Sequence, residues 1–323
     1  MLKLFKLLAV VIFFILSTGC ESDSELEKQK YLEGKQISGY EFYFPMGFFG
    51  YSSRKLDLSP DGSFLIYRTY DGPILQKLNL ETGEKEDVCN SCFSFNPDWS
   101  PNGEWIAFNC GTQIAKIKPD GSNLKMLTTE GRNYSPDWSP DGNHILYENG
   151  DCGSGGQPPP ENSCGVLKMR EDGSNNQLIV LYFGNPLWKN SHEFIAGDYL
   201  YDTSGVKLDS FNFDIGFSSA DLSPNGERII MGTSDGIYYM NADGTGYKRI
   251  LPDHWNSDYY DGPIKLLTDA PTWCPDSEHI IYEHFRVTDT KQGRDGTYLE
   301  GYISFYKVNV DSALAVSNLK STN

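Results

Sequence analysis

The sequence predicts an all-β fold, a six-bladed β-propeller of four-stranded antiparallel blades, and three observations carry that expectation. A six-residue phrase recurs as Asp57-Leu-Ser-Pro-Asp-Gly62, Asp98-Trp-Ser-Pro-Asn-Gly103, Asp137-Trp-Ser-Pro-Asp-Gly142 and Asp221-Leu-Ser-Pro-Asn-Gly226, with degraded copies at Leu187–His192 and Thr272–Ser277. The copies lie ~43 residues apart on average, the length of one four-stranded blade. Each is followed by a short β-rich run and, in most copies, by a second turn ending in Asp-Gly.

The chain opens with Lys3 and Lys6 ahead of an apolar run from Leu7 to Leu16, then Ser17, Thr18, Gly19 and Cys20. That run is too short for a membrane span, which needs ~20 apolar residues. Its charge pattern and small residues read as a secretory signal over residues 1–19. The segment Leu16-Ser-Thr-Gly-Cys20 resembles a bacterial lipobox, and the resemblance implies that Cys20 is acylated and becomes the mature N-terminus. Glu21 stands where enterobacterial lipoproteins retained at the inner membrane carry Asp. The expectation is therefore export, with lipid anchoring in the cell envelope and the outer membrane favoured. Residues 20–36 are polar and charged, the composition of a solvated tether, and the propeller is expected over 37–323.

Within a copy, proline presets φ for the second position of a type I turn, Asp or Asn suits the third, and Gly accepts the positive φ that follows. Phe64–Tyr67, Trp105–Phe108, Ile145–Tyr147, Ile229–Met231 and His279–Tyr282 read as second strands. Third strands follow at Ile114, Val166 and Ile237, each running into Asp-Gly, a strong hairpin signal. One blade cannot bury both faces of its sheet, whereas blades packed radially can. For the fourth strand of the last blade the sequence offers two candidates, the alternating Tyr40–Phe44 and the weaker stretch Asp311–Thr322, and the first is the expected closing strand.

Strand order puts the second-to-third and blade-to-blade connections on one face, and the long insertions all fall there: 148–165, 252–262 and 284–301. Loops on a rigid scaffold are where binding concentrates. Trp255, Tyr259 and Tyr260, of types enriched in interface hot spots, lead the candidate contacts. His254, His284, Arg286 and Arg294 join them on the same face.

Seven cysteines are present, and an exported protein can oxidise them. Cys152 and Cys164 bracket a Gly- and Pro-rich insertion and form the expected first pair. Cys92 and Cys110 stand almost opposite across the hairpin turned at Pro101, with Cys89 and Cys92 of Cys89-Asn-Ser-Cys92 as the rival pairing. That C-x-x-C precedes a strand instead of opening a helix, where a thiol would be activated, so a structural role is expected. Cys274 replaces a turn serine and reads as a buried free thiol.

The composition bounds function as well. The chain carries 27 basic and 44 acidic residues, net −17, and signal removal deletes two lysines and no acid. No basic patch exists for phosphate backbones, so nucleic acid is not expected as a partner. A cationic protein surface suits the field. A divalent cation also suits it, but the five histidines do not converge by spacing, and 289–300 fails the calcium-loop pattern at Lys291 and Arg294. No metal site, cofactor or catalytic residue is assigned. Gly232-Thr-Ser-Asp-Gly236 matches the nucleophile-elbow string, but it joins two strands where an elbow needs a strand-to-helix turn.

The phrases D-W-S-P-D-G, I-x-x-M-x-x-D-G and L-T, repeated over nearly the whole mature chain, resemble TolB-like propeller repeats. The resemblance implies a six-bladed ring and a role in protein binding. TolB carries an α/β domain ahead of its propeller and no stretch of that length lies between Cys20 and Asp57, so its partnerships with colicins and Pal do not transfer wholesale. The reading is a non-catalytic envelope lipoprotein that presents its loop-rich face to an envelope or surface protein. The alternative is a propeller enzyme, a lyase, cyclase or hydrolase acting on a carbohydrate or peptide.

Overall fold

The structure, a computed structural model, describes residues 35–36, 42–45, 55–69, 74–150, 164–181, 184–211, 217–233, 236–252, 265–293 and 296–320; at 35–36, 42–45, 252, 265–269, 284–293, 296–304 and 316–320 it describes the main chain. The signal and Cys20 lie outside these residues, as do Cys152, His254, Trp255, Tyr259, Tyr260 and Arg294.

Six antiparallel sheets follow one another along the chain, each in simple meander order. Blade one runs from Asp57–Leu58 to Lys85–Cys89, blade two from Ser94–Trp99 to Lys125–Met126 and blade three from Asn133–Trp138 to Gln177–Val180. Blade four runs from Pro186–Asn190 to Lys207–Ser210 and blade five from Phe217–Leu222 to Lys248–Pro252. Blade six is Lys265–Trp273, His279–Gly293 and Gly296–Asn309. Its outer edge is supplied from the N-terminal side of the chain: Phe42–Pro45 pairs antiparallel with Gly296–Asn309, Phe42 opposite Ile303, and Lys35–Gln36 pairs further along the same edge. The expected closing strand is therefore the one used. The rival stretch instead forms the helix Val310–Lys320. None of the described helices is long and apolar enough to cross a membrane.

The repeated phrase builds the same turn each time. Ser59 Oγ donates to Asp61 Oδ1 at 2.6 Å and accepts the main-chain N–H of Phe64 at 2.9 Å. Ser100 with Asn102 and Trp105, Ser139 with Asp141 and His144, and Ser223 with Asn225 and Arg228 repeat both bonds. In blade six the serine is Cys274, and Asp276 Oδ1 alone accepts two main-chain N–H groups, from Glu278 and His279. Blade four departs most. There Asn190 pairs directly with Glu193, a tighter turn than the four-residue phrase makes.

Six apolar clusters hold the ring, one at each interface between neighbouring blades. The cluster that closes it joins Leu58, Leu65 and Tyr67 of blade one to Ile281 and Phe305 of blade six. Helix Val310–Lys320 adds Val310 and Ala313 to the cluster between blades five and six.

One expectation is corrected. Residues 284–301 are not a loop: they continue the second and third strands of blade six as a paired hairpin to Gly293 opposite Gly296. The run Phe285-Arg-Val-Thr-Asp-Thr, rich in β-branched residues, sustains the ladder. His284 and Arg286 accordingly sit on this strand, opposite Ser304 and Tyr302.

Candidate functional site

The Asp that opens each phrase lies on the innermost strand, beside the propeller axis. A buried carboxylate must be paired or hydrogen-bonded, and each of these finds the same partner, the main chain of the next blade. Asp57 Oδ2 accepts the N–H of Trp99 at 2.5 Å, Asp98 Oδ2 that of Trp138 at 2.6 Å, Asp137 Oδ2 that of Trp188 at 2.7 Å and Asp221 Oδ2 that of Trp273 at 2.8 Å. Trp188 and Trp273 add an indole bond to the carbonyl of the same aspartate. The degraded copies alter the chain of bonds. Blade six has Thr272, whose hydroxyl donates to Asp221 Oδ2 at 3.0 Å and lies 3.5 Å from Asp57 Oδ1. Blade four has Leu187, which has no acceptor to offer.

Lys55, just ahead of the first inner strand, spans the axis. Its ammonium lies 2.5 Å from Asp98 Oδ1 and 3.0 Å from Asp137 Oδ1. Burial opposes the charge of Lys55, but the carboxylates of Asp98, Asp137 and Asp57 outweigh it and hold the pKa well above the usual lysine value. Burial works the other way on the acids: it pushes Asp98 up to about 7 and raises Asp57 and Asp221 as well. The axis thus holds acids that keep their protons more readily than ordinary carboxylates and one firmly charged lysine.

On the face of the Ser-Pro turns Asp57, Asp98, Asp137 and Asp221 line the floor of a cavity of about 580 Å³. Its walls are Trp99, Trp138, Trp188 and Trp273, and its mouth is the collar of turns at Pro60, Pro101, Pro140, Asn190, Pro224 and Pro275. Turns of blades six, one, two and three approach one another around this collar: a Cβ on Gly62 would meet Pro275 at 3.0 Å, and one on Gly103 would lie 3.7 Å from Pro60. On the far side of Lys55 a niche of about 20 Å³ is lined by Asn96, Ser135, Asn185 and Ser218. Asn96 Nδ2 donates to Ser135 Oγ, Ser135 Oγ to Asn185 Oδ1, and Asn185 Nδ2 to the carbonyl of Ser218, linking four blades in turn.

The residues singled out from the sequence are distributed differently. Those of the 252–262 insertion and Arg294 lie outside the described residues, and His284 and Arg286 lie on the blade-six hairpin, on the face opposite the cavity. Cys92 and Cys110 form a disulfide, while Cys89 and Cys274 are free and buried. Cys164 is disulfide-bonded to a partner outside the described residues. Among the described residues no cluster of three or more His, Cys, Asp or Glu side chains is arranged to hold a metal ion.

Sequence reading missed the axial acids and Lys55. The signal was present: an acid recurs at a fixed place on every strong copy, on the innermost strand of its blade. Such an acid is either solvated or satisfied by its neighbours, and a period of one blade points to the neighbouring blade.

No protein-family profile and no curated protein matches the sequence. Solved structures do match in shape. TolB from Acinetobacter baumannii superposes with a TM-score of 0.51 at 15% identity, over 83% of this chain and 64% of that one. The chain thus spans less than two thirds of that TolB. An oligogalacturonate lyase from Vibrio parahaemolyticus matches with a TM-score of 0.51 at 11% identity, over 83% of this chain and 92% of that one. A putative TolB from Agrobacterium tumefaciens matches at 16% identity with a TM-score of 0.39, over 79% and 89%. At these identities the likeness concerns architecture, and the fold is a TolB-like six-bladed β-propeller.

Proposed function

We propose that the chain is a non-catalytic, lipid-anchored protein of the cell envelope that binds another protein, with the axial cavity as its working site. The observation that supports this is the commitment of the cavity's acids. Asp57, Asp98, Asp137 and Asp221 each hold a main-chain N–H of the next blade, and Lys55 ties two of them together. Acids placed for proton transfer need a free oxygen within reach of substrate; in Asp98 and Asp137 both oxygens are engaged, one by the next blade and one by Lys55. What remains is a cleft rimmed by the prolines of the turns, with the tryptophan rings largely buried between the blades. It suits an extended protein segment. The tether from Cys20 would join the ring at the outer edge of blade six, where Lys35 and Phe42 pair, leaving the axis clear.

A second location for the same activity has its own support. The blade-six hairpin extends the opposite face, and Trp255, Tyr259, Tyr260, His254, His284, Arg286 and Arg294 belong to that side by strand order. The competing class, an enzyme acting on carbohydrate or peptide, draws only on shared architecture, which hosts many functions.

In-cell photo-crosslinking of the lipidated chain tests the reading. Crosslinkers at Ser191 and Asn225 report on the cavity mouth, and at Tyr259 and Thr290 on the other face. The proposal expects one envelope protein captured repeatedly through the mouth positions. Capture through Tyr259 and Thr290 alone would move the site to the loop-rich face, and capture of abundant envelope proteins only, at every position, would overturn the binding role.

A further inference from the structure

A third sulfur stands against the disulfide between blades one and two. Cys92 lies in the connection between the blades and is bonded to Cys110, at the end of the second strand of blade two. Cys89, the last residue of blade one, is free and 4% exposed. Its Sγ lies 3.8 Å from the Sγ of Cys92. Strand pairing fixes the two outer members: Cys89 stands opposite Leu75 in blade one and Cys110 opposite Ser94 in blade two. Cys92, on the short link between them, lies within reach of both. Two hydroxyls accompany the sulfurs, Ser91 Oγ at 3.5 Å from Cys89 and Ser94 Oγ at 3.6 Å from Cys92. The other free thiol, Cys274, belongs to the apolar cluster between blades six and one, and burial pushes its pKa up to about 11.

We propose that Cys89, Cys92 and Cys110 form a thiol–disulfide exchange triad. The Cys89 thiol loses its proton, and its sulfur attacks Cys92 Sγ. The Cys89–Cys92 bond forms as the Cys92–Cys110 bond breaks, and the electron pair leaves with Cys110 Sγ, which takes up a proton. One thiol and one disulfide stand on each side of the reaction, so no external oxidant or reductant is consumed. The exchange moves the free thiol from a buried position to Cys110, which is only partly buried and sits on the face of the second-to-third loops. There it meets thiol-reactive groups from outside, the disulfide of another exported protein being the relevant class. The C-x-x-C at Cys89–Cys92 lacks a helix N-terminus to activate it; its activity comes from the adjacent disulfide. The inference does not use the axial cavity and stands apart from the binding role.

The test is differential alkylation of the folded, oxidised mature chain with N-ethylmaleimide at pH 8, followed by acid quenching, non-reducing proteolysis and mass mapping of the linkages. The expected product is alkylated Cys110 together with a Cys89–Cys92 disulfide, accumulating with time, and Cys89→Ser lowers Cys110 labelling at least tenfold. Equal Cys110 labelling in both proteins, or Cys89 alkylation with Cys92–Cys110 intact as the sole product, would overturn the proposal. A second variant removes dependence on the first: in Cys110→Ser, shown folded by circular dichroism, a glutathione buffer should produce the Cys89–Cys92 disulfide. Cys89 and Cys92 both remaining reduced there contradicts the triad.

Discussion

Asp137 accepts the main-chain N–H of Trp188 at 2.7 Å across the interface between blades three and four, and with its other oxygen holds the ammonium of Lys55 at 3.0 Å. One side chain therefore serves both the ring and the axis. Replacing it separates the two duties. Asp137→Ala leaves the Trp188 N–H unpartnered and takes one acceptor from Lys55, and should cost about 3 kcal/mol in urea unfolding. Asp137→Asn keeps an acceptor for Trp188 and gives up a buried charge, so it should cost less than half as much.

The axial acids also set a pH dependence. Burial holds Asp98 at about 7 and raises Asp57 and Asp221 above the carboxylate value of 3.8. An acid whose folded pKa is raised binds its proton more tightly folded than unfolded. It stabilises fully below the unfolded pKa and loses that contribution as pH rises through the folded one. The turn acids act oppositely: hydrogen bonds from Ser59 and Ser63 lower Asp61, and Ser122 lowers Asp120, so their contribution is lost as pH falls below the carboxylate range. The melting temperature should therefore peak at about pH 4 and fall as pH rises from there through about 7 in a calorimetric series.

Lys55→Met isolates the cation. At pH 8 it leaves Asp98 and Asp137 without their common partner and should destabilise by about 3 kcal/mol. At pH 5 Asp98 carries its proton, and the loss should shrink by half or more. Denaturation of variant and parent at both pH values checks the difference.

Ring closure by the early strand predicts that deleting residues 35–46 strips the outer edge of blade six and exposes the main chain of Gly296–Asn309. The melting temperature should fall by about 5 °C or more, measured by circular dichroism.

The turn collar predicts an order between two glycines of like conformation. Gly62 has φ 73° and Pro275 at 3.0 Å from a Cβ, whereas Gly226 has φ 75° and open space around it. Gly226→Ala should cost about 1 kcal/mol for backbone conformation alone. Gly62→Ala adds a clash at the closing interface and should cost measurably more.

The fold was legible because its information is local and repeated. Ser-Pro-Asp/Asn-Gly encodes a turn through proline's fixed φ and glycine's positive one, and four clear copies with two degraded ones at a blade-length period leave little choice of architecture. Phe42–Pro45 was legible by alternation. The blade-six hairpin was misread as a loop because charged residues such as Asp289, Lys291 and Arg294 interrupt its β-rich runs. The axial site was hidden for another reason. The partner of each aspartate is a main-chain N–H about one blade away, and main-chain groups leave no mark in a sequence; Lys55, outside the phrase, had no repeat to reveal it. The sulfur cluster was legible pair by pair: spacing placed Cys92 opposite Cys110 and beside Cys89 as rivals, and the structure has the Cys92–Cys110 bond with Cys89 Sγ 3.8 Å from Cys92.

The account rests on the axial carboxylates being pins between blades, and amide hydrogen exchange read at single residues tests this most directly. Leu222 occupies in blade five the place of Trp99, Trp138, Trp188 and Trp273, paired with Ile229 as Trp138 is with Ile145, but it faces Leu187 in blade four, which has no acceptor. The four tryptophan amides should exchange only through global unfolding, at least a hundredfold more slowly than that of Leu222. Equal exchange at all five positions would show that the carboxylates do not hold the ring, and would return them to candidacy as chemical groups.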